Sequence, residues 1–132
     1  MAVVTLDHVN IRTSDMAATI AFYRDLLGLR ATIAPGADSL DQGCWIRDPD
    51  DRPIVHLGSV TAAYPSDDAA PFSPARGGGS VHHVALECDD YDGMKQALDS
   101  RIIKVSDIPS IKLRQIFVHD PNGVMIELNF RD

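Results

Sequence analysis

Four side chains in this sequence carry metal-ligating donor atoms at matching places: His8, His56, His83 and Glu127. Leu6-Asp7-His8-Val9-Asn10-Ile11 aligns with Val81-His82-His83-Val84-Ala85-Leu86, so His8 pairs with His83. Ile54-Val55-His56-Leu57 aligns with Met125-Ile126-Glu127-Leu128, so His56 pairs with Glu127. Imidazoles and a carboxylate are the donor set that takes Zn, Ni, Co, Mn or Fe(II). Three or four such ligands on a rigid sheet leave positions open for substrate oxygens. A metal held there polarises a carbonyl or stabilises an enolate.

These residues need strands to aim them, and strand alternation supplies the aim. His8, Asn10 and Arg12 fall on one face of a run from Val3 to Arg12, opposite Val9 and Ile11. His83, Ala85 and Glu87 oppose Val84 and Leu86 in the run Ser80 to Cys88. In the last run, Val124 to Phe130, Met125, Glu127 and Asn129 oppose the apolar set. His56 shares a face with Ile54 and Gly58 in the run Pro53 to Ser59. The other histidines read differently: alternation puts His82 on the apolar side, and His119 adjoins a turn.

The elements between these runs repeat. Ser14 or Asp15 is the expected N-cap of a helix over Met16 to Leu27, with Ile20, Tyr23 and Leu27 on one stripe and Gly28 as its terminator. Strands are expected at Leu29 to Ala34 and Cys44 to Arg47, followed by the turn Asp48-Pro49-Asp50-Asp51. The second half places a helix at Asp90 to Ser100, strands from Ile102 to Val105 and Ile111 to His119, and the matching turn Asp120-Pro121-Asn122-Gly123. Each half is therefore a βαβββ module, one over about residues 1–60 and one over about 80–132. Residues 61–79 join them as a linker, with Pro65, Pro71, Pro74 and Gly77-Gly78-Gly79.

Composition bounds the rest. The chain has 132 residues, 45% hydrophobic and 23% charged, which suits one soluble globular domain, and the two βαβββ modules make its expected class α+β. Its formal net charge is −7, without a basic cluster, which argues against nucleic acid or an anionic membrane as partner. No apolar run nears the ~20 residues of a membrane span, and the first residues do not read as a secretory signal. Cys44 and Cys88 read as buried thiols of a reducing, cytoplasmic compartment, without an activating base.

LDHVNIRTSDMAATIAFYRDLLGLR, VHHVALECDD and DPNGVMIEL together resemble the vicinal oxygen chelate superfamily, which includes glyoxalase I, methylmalonyl-CoA epimerase, extradiol dioxygenases and fosfomycin and bleomycin resistance proteins. The resemblance spans nearly the whole chain. It implies paired βαβββ modules forming a cupped, half-open mixed sheet around one divalent metal, and a homodimer. It puts metal ligands at His8, His83 and Glu127. His56 stands where bacterial-type glyoxalase I has Glu and the epimerase Gln; it is expected to complete the shell or to move a proton with Glu127. Arg12 matches an arginine that contacts glutathione in glyoxalase I, and Asn10 on the same face joins it as a substrate-binding candidate. Extradiol dioxygenases often have a tyrosine where this sequence has Phe117. The expected function is metal-dependent lyase or isomerase chemistry on a small oxygenated molecule. The alternatives are an Fe(II) ring-cleaving dioxygenase and a non-enzymatic ligand-binding protein.

Overall fold

The computed structural model describes residues 1–73 and 76–131; Pro74 of the expected linker lies outside them. The chain divides into two compact units, Met1–Pro74 and Ala75–Asp132, with the boundary inside that linker. Both are α+β and follow the same plan.

In the first unit the order is β1 (Val9–Thr13), α1 (Met16–Ala21), β2 (Arg30–Ile33), β3 (Gly43–Arg47) and β4 (Pro53–Ser59). The sheet order is β1-β4-β3-β2. β1 runs parallel to β4, and the remaining pairs are antiparallel. The second unit repeats this with β5 (Val84–Cys88), α2 (Tyr91–Leu98), β6 (Ile102–Ile108), β7 (Leu113–His119) and β8 (Met125–Phe130), in the order β5-β8-β7-β6.

One face of each sheet is the core. Ile11, Cys44, Ile46, Val55 and Leu57 are buried in the first unit, together with Met16, Ile20, Phe22 and Tyr23 from the helical segment that packs on β4. Ile116, Val118, Ile126, Leu128 and Phe130 form the equivalent face in the second, with Leu98 buried and Tyr91 of α2 edge-on to Phe130 at 5.2 Å. Each fully buried aliphatic side chain of this kind contributes about 1.5–3 kcal/mol. The opposite faces, released from packing, are where polar side chains can serve another purpose.

Local chemistry sets the ends. Asp15 caps α1 by accepting from the Ala18 amide at 3.0 Å. The helix closes through a π-turn at Phe22–Leu26, and Gly28 then takes a left-handed φ of 74° as the terminator. The two Asp-Pro turns are built alike. Asp48 Oδ1 accepts from the amides of Asp50 and Arg52, and Asp120 Oδ1 from those of Asn122 and Val124. The fourth turn residue is left-handed in both, Asp51 at φ 66° and Gly123 at φ 81°.

Strand starts differ most from the sequence expectation at the two parallel edge strands. β1 starts at Val9 rather than Val3, and β5 at Val84 rather than Ser80. Each is a sheet edge whose single partner is a parallel strand, and its ladder begins at Val9↔Val55 or Val84↔Ile126. Pro53, which opens β4, has no amide to offer an earlier residue. Val3, Val4 and Leu6 consequently stand exposed. His82 is also exposed, because it precedes the strand whose alternation would have turned it inward. Among the described residues no helix is long and apolar enough to cross a membrane.

Candidate functional site

The pairing register makes the internal repeat a structural fact. Asn10 lies opposite His56 across β1 and β4, and Ala85 lies opposite Glu127 across β5 and β8. On the far side, Trp45 is opposite His56 and Phe117 is opposite Glu127. His56 and Glu127 are therefore the same position in two copies of one sheet. His8 and His83 each sit one residue before the equivalent edge strand.

In the first unit the open face carries an aromatic cluster around His56. The Trp45 indole stacks on the His56 ring, and the His8 ring meets Trp45 edge-on at 4.9 Å. The centroids of His8 and His56 are 6.1 Å apart. Tyr64 comes from the connector after β4 and stands 5.9 Å from His56 on another side. Burial, and then the neighbouring His8 and Arg12, push the His56 imidazole below the ordinary histidine range. The lone pair of one ring nitrogen is thereby kept available at neutral pH.

His8 is half-buried and has a partner that the alignment missed. Its Nδ1 is 2.5 Å from the carboxylate of Asp7. A carboxylate only accepts, so Nδ1 carries the proton and the lone pair falls on Nε2. This is the arrangement that orients metal-ligating histidines.

Asn10 and Arg12 organise the connector. Asn10 Nδ2 donates to Tyr64 Oη at 2.9 Å and to the His56 carbonyl at 3.2 Å. Arg12 donates through Nε to the Ser59 carbonyl and through one terminal nitrogen to those of Val60 and Ala62. Its guanidinium also lies 4.4 Å from the Tyr64 ring and 4.7 Å from that of Phe72. Gly58 makes room for this arrangement: a Cβ there would stand 2.6 Å from Tyr64 Oη.

In the second unit His83 Nε2 and Glu127 Oε2 are 3.8 Å apart. That is too long for a hydrogen bond. It suits two ligands of one cation, since donors each bound at ~2.1 Å at a tetrahedral angle lie ~3.4 Å apart. His83 Nδ1 is 2.9 Å from His82 Nδ1, which leaves Nε2 directed toward Glu127. Asn129 Nδ2 donates to Glu127 Oε2, and Gln115 Nε2 donates to Asn129 Oδ1, both at 3.0 Å. Asn129 was legible only as a member of the polar face, and Gln115 was not singled out by the sequence.

Among the described residues, no three His, Cys, Asp or Glu side chains gather within either unit to hold a metal ion. Each unit instead presents a pair, His8 with His56 and His83 with Glu127, and every member of the two pairs has a donor atom suited to a borderline divalent metal. Cys44 is buried and Cys88 half-buried, and burial raises both thiols, Cys88 to about 11. Neither is an activated nucleophile. His119 is exposed at the end of β7.

The chain is similar to known proteins in sequence and in fold. The chain is 29% identical over 126 residues to the uncharacterized protein YaeR of Escherichia coli (strain K12), covering 92% of each. Its fold is similar to that of virulence protein STM3117 from Salmonella typhimurium, with a TM-score of 0.71, 15% identity and full coverage of both chains. It is also similar to lactoylglutathione lyase from Agrobacterium tumefaciens, with a TM-score of 0.65 and 20% identity, covering 96% of this chain and 92% of that one. The family profile described as Glyoxalase/Bleomycin resistance protein/Dioxygenase superfamily matches residues 5–128, and the chain belongs to that superfamily.

Proposed function

We propose that the protein is a metal-dependent enzyme of the glyoxalase I-like type, with lyase or isomerase chemistry on a small oxygenated substrate. His8, His56, His83 and Glu127 are the proposed divalent-metal ligands. The observation that carries this reading is the state of the donors. His8 and His83 both have Nδ1 within hydrogen-bond distance of the preceding residue's side chain, and His56 and Glu127 share one register position in the repeat. The superfamily contains many such enzymes.

A bound divalent ion supplies polarisation of two adjacent substrate oxygens and so acidifies the neighbouring C–H. This chain's residues then handle the proton. The Glu127 carboxylate takes it from carbon, or His56 does so through its unprotonated ring nitrogen where it is not a ligand of the ion, and the same group returns it to the adjacent carbon in an isomerisation. The depressed basicity of His56 keeps it unprotonated and ready to accept at neutral pH. Asn10, exposed beside His56, is the proposed contact to substrate. Arg12 is proposed to act on substrate by shaping the connector it holds. We place the enzyme in the cytoplasm as a homodimer.

The aromatic group Trp45, Tyr64 and Phe72 favours one second reading, a ligand-binding protein for planar molecules. Elemental analysis of protein purified without added metal or chelator separates the two. Near-stoichiometric Ni, Zn, Co or Mn supports the enzyme, and assays on 2-oxoaldehyde adducts and acyl-CoA epimers follow. Stoichiometric Fe directs assays to catechols. Absence of metal, with none taken up on incubation, overturns the metal site, and binding of an aromatic ligand by that protein establishes the second reading.

A further inference from the structure

We infer that Asn129 and Gln115 are positioning residues for Glu127, forming a one-way amide chain that locks its carboxylate and fixes Oε2 beside His83 Nε2. This rests on the reading of Glu127 as a ligand or base.

The direction of the chain is forced. The Glu127 carboxylate accepts only, so it meets the amide nitrogen of Asn129 and never its oxygen. The Asn129 oxygen must then point away, and it takes the Gln115 amide nitrogen. Donors thus align from Gln115 through Asn129 to Oε2, and each bond polarises the next. Oε2 is also the carboxylate oxygen that lies 3.8 Å from His83 Nε2. Asn129 is buried and Glu127 nearly so, which shields the chain from water.

The sheet does not require this pair. Gln115 and Asn129 are register partners across β7 and β8, and the equivalent partners in the first unit are Gly43 and Gly58. There the neighbouring group is His56, which is steadied by ring stacking on Trp45. An imidazole is held by a flat neighbour, whereas a carboxylate on a flexible three-torsion side chain is held by donors. The amide pair occurs in the unit that has the carboxylate.

The test uses the full chain and Co²⁺, read by its visible absorption and by competition with a chromophoric chelator. Asn129→Leu is expected to weaken Co²⁺ binding about 10–100-fold, as outer partners of metal ligands commonly do. Gln115→Leu is expected to weaken it less, and the double variant no more than Asn129→Leu alone. Urea unfolding of each variant reports the fold separately, and Gln115→Leu carries the test if Asn129→Leu does not fold. Wild-type affinity in the variants overturns the inference, as do losses that add in the double variant, since independent contributions are additive. If wild type binds no Co²⁺, it is the metal reading that fails. Side-chain scalar couplings of Glu127 then decide the inference. One rotamer in wild type that becomes averaged in Asn129→Leu supports it; averaging in both overturns it.

Discussion

The indole of Trp45 lies nearly parallel to the imidazole of His56, with ring centroids 4.6 Å apart and planes at 26°. Trp45 is the sole tryptophan of the chain, so its fluorescence reports on His56 directly. A protonated imidazole against an indole quenches it. Burial and the adjacent His8 and Arg12 disfavour that protonated form. Quenching is therefore expected on acidification, with a midpoint below the ordinary histidine value, and His56→Asn is expected to abolish that step.

The same shift sets a pH dependence of stability. His56 is harder to protonate folded than unfolded, so the unfolded chain binds more protons in between. The contribution is fully present above the ordinary histidine pKa and declines as pH falls through the folded value. Urea midpoints measured from pH 7.5 downward should fall less steeply in His56→Asn than in wild type.

Asp7 orients His8 through Nδ1. Asp7→Asn removes the charge that favours this tautomer and is expected to weaken divalent-metal binding about 10-fold, the low end for such partners because Asp7 is exposed. Unfolding should be unchanged. Calorimetric titration with Ni²⁺ checks both the direction and the size.

Gly58→Ala puts a methyl group 2.6 Å from Tyr64 Oη. Overpacking of this kind costs about 1–3 kcal/mol. Tyr64→Phe removes the clashing atom, and the next ring carbon stands at 3.6 Å, an ordinary contact. The double variant is therefore expected to be more stable than Gly58→Ala alone, measured by urea unfolding. Hydrogen exchange over residues 59–72 should rise in Gly58→Ala and in Arg12→Ala, since Arg12 ties that stretch by three carbonyls.

Cys88 has its thiol raised to about 11 by burial and by the acidic residues Asp89 and Glu87 beside it. At pH 8 its thiolate fraction is far below that of a free cysteine. Its alkylation by iodoacetamide is expected to be at least ~10-fold slower than that of a free thiol at pH 8.

Much of this was legible in the amino-acid order. The pairing of His8 with His83 and His56 with Glu127 follows from two aligned segments, and the Asp-Pro turns mark the same place in both modules. The ladders Val9↔Val55 and Val84↔Ile126 put those alignments in matching register. What misled was strand length. Val3 to His8 has β composition, but propensity makes no strand without a partner backbone, and β4 supplies none before Val9.

The side-chain partners were not legible. Tyr64 sits in a stretch whose composition reads only as linker, yet it stands beside His56 because Arg12 and Asn10 hold that stretch. Gln115 and Asn129 are fourteen residues apart and meet only because β7 and β8 pair as they do. Periodicity and repeat determined which residues share a face, since alternation along a strand is a local property of the backbone. Which of those residues touch, and with what orientation and basicity, was decided by the tertiary structure, because register and burial depend on segments far apart in the chain.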